Sequence, residues 1–442
     1  MSEDIGIQKD LDPSIKRGKH SNVDKDGHVE EINPDGSTNV KYADSSILDS
    51  FNRIRISQPL TIFDSKQIFD NQPLLWDESL ETGAGITSAH STDTASTVFT
   101  STLNTAGKFT RQTFMRFNYQ PGKSQLVMMT GVLGAGTAGI TQEIGLHDDD
   151  NGLFFRCDQG TLKVVRKTSV TGSAVDNAVA QSSWNLDKLD GTGESGIDLD
   201  FTKTQIFIID FEWLGVGRVR MGLVHNGEIV YSHEFLNSNV LADVYMSTPN
   251  LPLRYSIEND GTGSAISLKQ ICSTVISEGG SEDLGVLRHI STQGTHVDCN
   301  VENTLYAIIG IKLKSTHLAA SVKLKKVAIQ IQTASETGEW ELLLNPTVAD
   351  TFAYSDVTNS AIQKATGATA NTVTGGTNID GGFAQSFSGG GGSGDATEEV
   401  DNAILLGSKI DGTPDEIVLC WRPTGGTSSH DIEGSIHYRE LT

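Results

Sequence analysis

GRVRMGLVHNGEIVYSHEF, residues 217–235, decides the fold. Val219, Met221 and Leu223 alternate with Arg218, Arg220 and Gly222, the two-residue period of a strand with one buried face. Asn226-Gly227 then supplies the residues that tolerate two successive positive φ angles, so the chain turns back in a type I′ hairpin. The same grammar recurs outward from this point. FTRQTFMRFNY (109–119), KSQLVMMTGVL (123–133), ITQEIGLHDDD (140–150), NGLFFRCDQ (151–159), GTLKVVRKTS (160–169), TQIFIIDFEWL (204–214) and LRYSIEND (253–260) all read as strands. Long antiparallel strands joined by hairpins pack as two layers, which predicts an all-β sandwich over 77–280.

Upstream, residues 1–50 carry 11 acidic and 6 basic residues, with Tyr42 the sole aromatic. Such a segment buries too little apolar surface to fold alone and reads as an extended or disordered arm. Residues 51–76, FNRIRISQPLTIFDSKQIFDNQPLLW, show the opposite balance without a tidy strand or helix pattern. Phe51, Ile54, Ile56, Leu60, Ile62, Phe63, Ile68, Phe69, Leu74, Leu75 and Trp76 are costly to leave in water, at roughly 1.5–3 kcal/mol per buried large side chain. The segment is therefore expected to act as an anchoring strap that lies on its own body, on a neighbouring chain, or on both. Downstream, 281–442 reads as a further β region, with NTLYAIIGIKLK (303–314) and SVKLKKVAIQIQT (321–333) as strands. A break in alternation at Lys325-Lys326 predicts a bulge. The Gly/Thr/Ser-rich stretch 366–396 predicts a loop or surface lobe.

Composition narrows the function classes. A formal net charge of −23 over 442 residues repels a phosphate backbone, so nucleic acid is not the expected partner. No apolar run of about 18 residues exists to span a membrane as a helix. MSEDIGIQKD lacks the apolar core of a signal peptide. Cys157, Cys272, Cys299 and Cys420 have no zinc-like spacing and read as buried free thiols. Neither GxSxG nor GxxxxGK[ST] occurs.

Three sets of residues carry candidate chemistry. Asp148, Asp149 and Asp150 are adjacent carboxylates whose repulsion a bound Ca²⁺ would relieve, but a solvated hairpin loop is the preferred reading. Asp187, Asp190, Glu194, Asp198 and Asp200 form a second acidic loop. Asp210 and Glu212 fall two apart on one predicted strand and so on one sheet face, a placement that permits but does not specify the facing carboxylates of a glycan-degrading enzyme; the alternative is that Asp210 pairs with Arg218 or Arg220 across strands. Trp213, Tyr231 and Tyr255 would make a sugar-stacking platform if exposed and core if not.

The run NRIRISQPLTIFDSKQIFDNQPLLWDE (52–78) resembles a segment near the N-terminus of a family of tailed-bacteriophage virion proteins. The resemblance extends to IGLHDDDNGLFFRCDQGTLKVV (144–165), FIIDFEWLGVGRVRMGLVHNGEIVYSHEF (207–235) and AILLGSKIDGTPDEIVLCWRP (403–423). It implies a non-enzymatic structural component of the virion with a lectin-like jelly-roll sandwich, without a cofactor, made in the host cytoplasm. Its implied partners are other virion proteins and copies of itself, with a trimer preferred, and it serves as a decoration, fibre or tail-associated protein. A glycan-binding adhesin for the host surface is the alternative, and a glycan-degrading enzyme a second one.

Overall fold

A computed structural model describes residues 21–23, 29–31, 58–386, 394–399, 405–425 and 429–441. The chain divides into two units, Met1–Ser57 and Gln58–Thr442. In the first, Ser21–Val23 pairs antiparallel with Val29–Glu31.

The second unit is all-β and contains two sandwiches. Among the described residues its one helical element is the 3₁₀ turn Gln181–Ser183. The first sandwich packs a seven-stranded sheet, running in spatial order from Val175–Ala180 to Trp76–Gly83, against an eight-stranded sheet running from Glu228–Phe235 to Ile86–Ser91. Strands distant in sequence are neighbours in both sheets, which makes this a lectin-like jelly roll. Val219, Met221 and Leu223 point into the core between the sheets with Phe207, Ile209 and Phe211 from the next strand. Asn226 and Gly227 take φ of 51° and 90°, the values the hairpin turn requires. Gln159 and Gly160 repeat the device at 48° and 90°.

The expected C-terminal β region forms a second sandwich. Val286–Ser291, His430–Leu441, Ser321–Ile331 and Gly394–Glu399 form a sheet that Val297–Cys299 joins. It packs on a six-stranded sheet centred on Tyr306–Leu313, Glu416–Gly425 and Thr337–Leu344. The bulge falls between Leu324 and Lys326, where alternation breaks. Within the Gly-rich stretch, Thr377–Gln385 is an edge strand on Thr337–Leu344 and not a loop. Glycine weakens strand propensity, but here backbone pairing with an already ordered strand overrides it. Gly389–Gly392 lie outside the described residues. Segment 405–415 runs against the first sandwich, where the Ser408 amide donates to the Phe114 carbonyl at 3.1 Å and the Ile410 amide to Asp77 Oδ2 at 2.8 Å.

The strap is more regular than its sequence suggests. Leu60–Lys66 is a strand that pairs antiparallel with Ser277–Cys272 in the eight-stranded sheet. Phe63 and Trp76 are buried in the core of their own sandwich, 6.2 Å apart edge to face. Beneath them Arg111, inward-facing and fully buried, pairs with Glu78, donates to the Asn71 carbonyl and to Gln67 Oε1, and lies 5.3 Å from the Trp76 ring. Burial lowers the guanidinium pKa and Glu78 opposes that shift. Trp76 Nε1 donates to Ser65 Oγ at 2.9 Å, which closes the strap on itself. Trp76→Ala should destabilise the chain by about 3–5 kcal/mol, whereas Phe69→Ala, at 87% exposure, should change stability by no more than about 0.5 kcal/mol. Urea unfolding of the two variants beside the parent chain measures both.

Candidate functional site

On Gln205–Phe211 the core takes Phe207, Ile209 and Phe211, which turns Asp210 to the outer face of the eight-stranded sheet. Arg220 is its direct cross-strand partner, and Tyr231 lies opposite Gly222 on the following strand. The three side chains meet. Asp210 Oδ2 accepts from the Arg220 guanidinium and, at 2.7 Å, from the Tyr231 hydroxyl. Arg220 Cζ lies 4.2 Å from the Tyr231 ring centroid. Burial, and then the neighbouring Asp210 carboxylate, push the Tyr231 hydroxyl far above its usual pKa, so it is a donor at every physiological pH. The Arg220 alternative is thus the observed pairing.

The other expected members do not join this cluster. Glu212 follows the end of the strand, where its Oε1 accepts from the Arg218 amide at 3.4 Å. Trp213 is half-buried with Nε1 donating to the Met246 carbonyl at 3.0 Å and its ring edge-on to Tyr119. Tyr255 is fully buried between the sheets, its hydroxyl 3.0 Å from Ser273 Oγ. A position on an inward register excludes it from sugar contact, which corrects the platform read from sequence.

The acidic run also separates. Asp148 Oδ1 accepts from the amides of Asp150 and Asn151, and its Oδ2 from Arg116 at 2.5 Å. Asp149 pairs with Arg254 at 2.6 Å. Burial acts to raise the Asp149 pKa, but Arg254 outweighs it and holds the carboxyl below its ordinary value. Asp150 is exposed. Asp148 and Asp149 are thus engaged by the turn and by arginines, so the three carboxylates do not converge on a cation. In the second acidic loop Asp187, Asp190 and Asp200 likewise cap local turns through the amides of Leu189, Thr192 and Thr202. No group of three or more His, Cys, Asp or Glu among the described residues is placed to hold a metal ion. Cys157, Cys299 and Cys420 are buried and free, whereas Cys272 is exposed, because its bulged strand turns it outward.

Sequence reading missed His147. It faces outward from the seven-stranded sheet yet is fully buried, stacked on Phe154 with ring centroids 4.2 Å apart. Arg156 and Lys167 cover the Phe154 ring at 5.1 and 5.4 Å. Gly152 permits this packing, since a Cβ there would lie 2.0 Å from that of His147. The tight hairpin over Asp148–Asn151 brings these residues together, but nothing in the sequence shows that the outward face there is covered.

The strap residues divide sharply. Phe63 and Trp76 are core, and Ile62 and Leu75 pack against it. Leu60 at 45%, Ile68 at 46%, Phe69 at 87% and Leu74 at 44% remain exposed. Phe51, Ile54 and Ile56 lie outside the described residues.

No protein-family model and no curated protein matches this chain. Among solved structures, a Bacillus licheniformis β-glucanase matches at 7% identity and TM-score 0.30, over 50% of this chain and 99% of its own. The CBM2 module of the evolved Dit of Lactobacillus casei BL23 phage J-1 matches at 10% identity and TM-score 0.33, over 52% and 100%. The Emp47p carbohydrate recognition domain matches at 10% identity and TM-score 0.31, over 54% and 100%. At these scores none bears on what this chain does.

Two outcomes test the site. Asp210→Ala should cost about 1–3 kcal/mol, because Arg220 and Tyr231 lose a shared acceptor, as read by denaturant unfolding. His147 has a folded pKa well below 6.5, caused by burial and then by Arg254, Lys167 and Arg156. The unfolded chain therefore binds the proton more readily, so this contribution to stability is complete above pH ~6.5 and declines as pH falls below it. Subtracting the stability–pH profile of His147→Phe from that of the parent should isolate this slope. Parallel profiles between pH 7 and 5 would refute it.

Proposed function

We propose that this chain is a non-enzymatic structural component of a bacteriophage virion. It assembles through its N-terminal arm and strap and exposes its sandwiches at the particle surface. The observation that supports this most is the division of the strap. Phe63 and Trp76 fix it to its own core, while Phe69, Ile68, Leu60 and Leu74 are offered to water on a rigid support. Apolar side chains held in place bury against a partner with little ordering cost, at roughly 1.5–3 kcal/mol for each that is fully covered. Other virion proteins are the partners this reading names, and the phage setting comes from the sequence resemblance of 52–78. Repeated copies on a closed symmetric particle favour a homo-oligomer, with a trimer as the preferred state.

The Asp210–Arg220–Tyr231 cluster favours a second reading, recognition of a host-surface glycan. It offers an aromatic ring beside an anchored acceptor and donor on an outer sheet face.

Replacing Phe69 and Leu74 together by Asp should leave the far-UV spectrum and melting temperature of the isolated chain unchanged and abolish incorporation when particles are produced with the variant. Normal incorporation would remove the strap from the assembly mechanism. Immunogold labelling of parent particles then separates a head, tail or fibre position.

A further inference from the structure

A cleft of about 460 Å³ opens on the second sandwich, remote in sequence from both the strap and the Asp210 cluster. Its origin is the alternation of Thr337–Leu344 and Glu416–Gly425. Leu342, Leu419 and Trp421 point into the core between the sheets, which sends Glu341, Leu343 and Arg422 to the other face. There Leu305 and Leu343 make an apolar floor. Glu341, only 8% exposed, accepts from Arg422 on one oxygen and from Asn378 Nδ2 at 3.2 Å on the other. Arg422 Nε is 3.3 Å from Glu339. Asn303 closes one rim, its amide bonded to the Pro423 carbonyl at 2.8 Å. The opposite rim turns at Gly376, where φ is 81° and a Cβ would lie 2.9 Å from Pro346 Cα, which leaves no room for a side chain.

We propose that this cleft binds a neutral saccharide. The floor meets the C–H face of a pyranose ring, as apolar lining does in small-molecule sites of roughly 300–1,000 Å³. The carboxylate, guanidinium and carboxamide are planar groups locked by one another. Their remaining donors and acceptors stand side by side, which suits adjacent hydroxyls and carries little ordering cost on binding. Two carboxylates, Glu339 and Glu341, face one guanidinium, in a chain of net charge −23, and this balance selects against an anionic ligand. The site stands apart from the Tyr231 cluster and does not depend on that reading.

Isothermal titration of the full chain with methyl glycosides of glucose, galactose, mannose, rhamnose and N-acetylglucosamine tests it. At least one should bind saturably. Asn378→Ala and Asn303→Ala, both at exposed positions, should each weaken it by about tenfold, the worth of one lost polar contact. Lys203→Ala, at an exposed position of the first sandwich that neither site uses, should leave the affinity unchanged. Melting curves of the variants establish that they are folded. Failure of all five glycosides to bind overturns the proposal. So does binding that survives both asparagine variants, or a preference for N-acetylneuraminic acid over the neutral sugars.

Discussion

A buried cation organises the first sandwich. Arg111 points inward from a strand whose neighbours Phe109 and Thr113 are also buried, and an unpaired guanidinium there would be prohibitive. Its partners all come from the strap and the strand that follows it: Gln67, Asn71, Trp76 and Glu78. Satisfying Arg111 therefore dictates where residues 67–78 run. Gln67 is fully buried and is held also by Thr97 and His90. With both ends of 67–71 fixed, Ile68 and Phe69 are left on the outside. The exposed apolar face of the strap is thus a consequence of electrostatics inside the sandwich.

The same rule of pairing runs through the outer faces. Arg116, Arg156, Arg220, Arg254 and Arg422 each hold a carboxylate. This explains why acidic runs that look like ligand sets in sequence turn out to be turn caps and ion pairs. It also sets apart the cleft at Glu341 and Arg422, where paired polar groups converge above an apolar floor.

Sequence carried the layer architecture well, because alternation and hairpin dipeptides are local. The turn at Asn226-Gly227, the strand at 205–211, an arginine at 218 or 220 as the partner of Asp210 and the bulge beside Lys325 could all be read from neighbours a few positions apart. The rest depends on register between distant segments. Nothing local shows that Leu60–Lys66 adds to Ser267–Ser277 or that Tyr255 faces inward beside Trp76. Within the C-terminal β region, glycine's low strand propensity masked the edge strand at 377–385.

The central claim is that Phe69 meets another polypeptide in the assembled particle. Placing a photoreactive benzoylphenylalanine at position 69 and irradiating intact particles tests it directly. The predicted result is a crosslink from position 69 to a peptide of a neighbouring chain. Crosslinks confined to the same chain, or none at all, would contradict it.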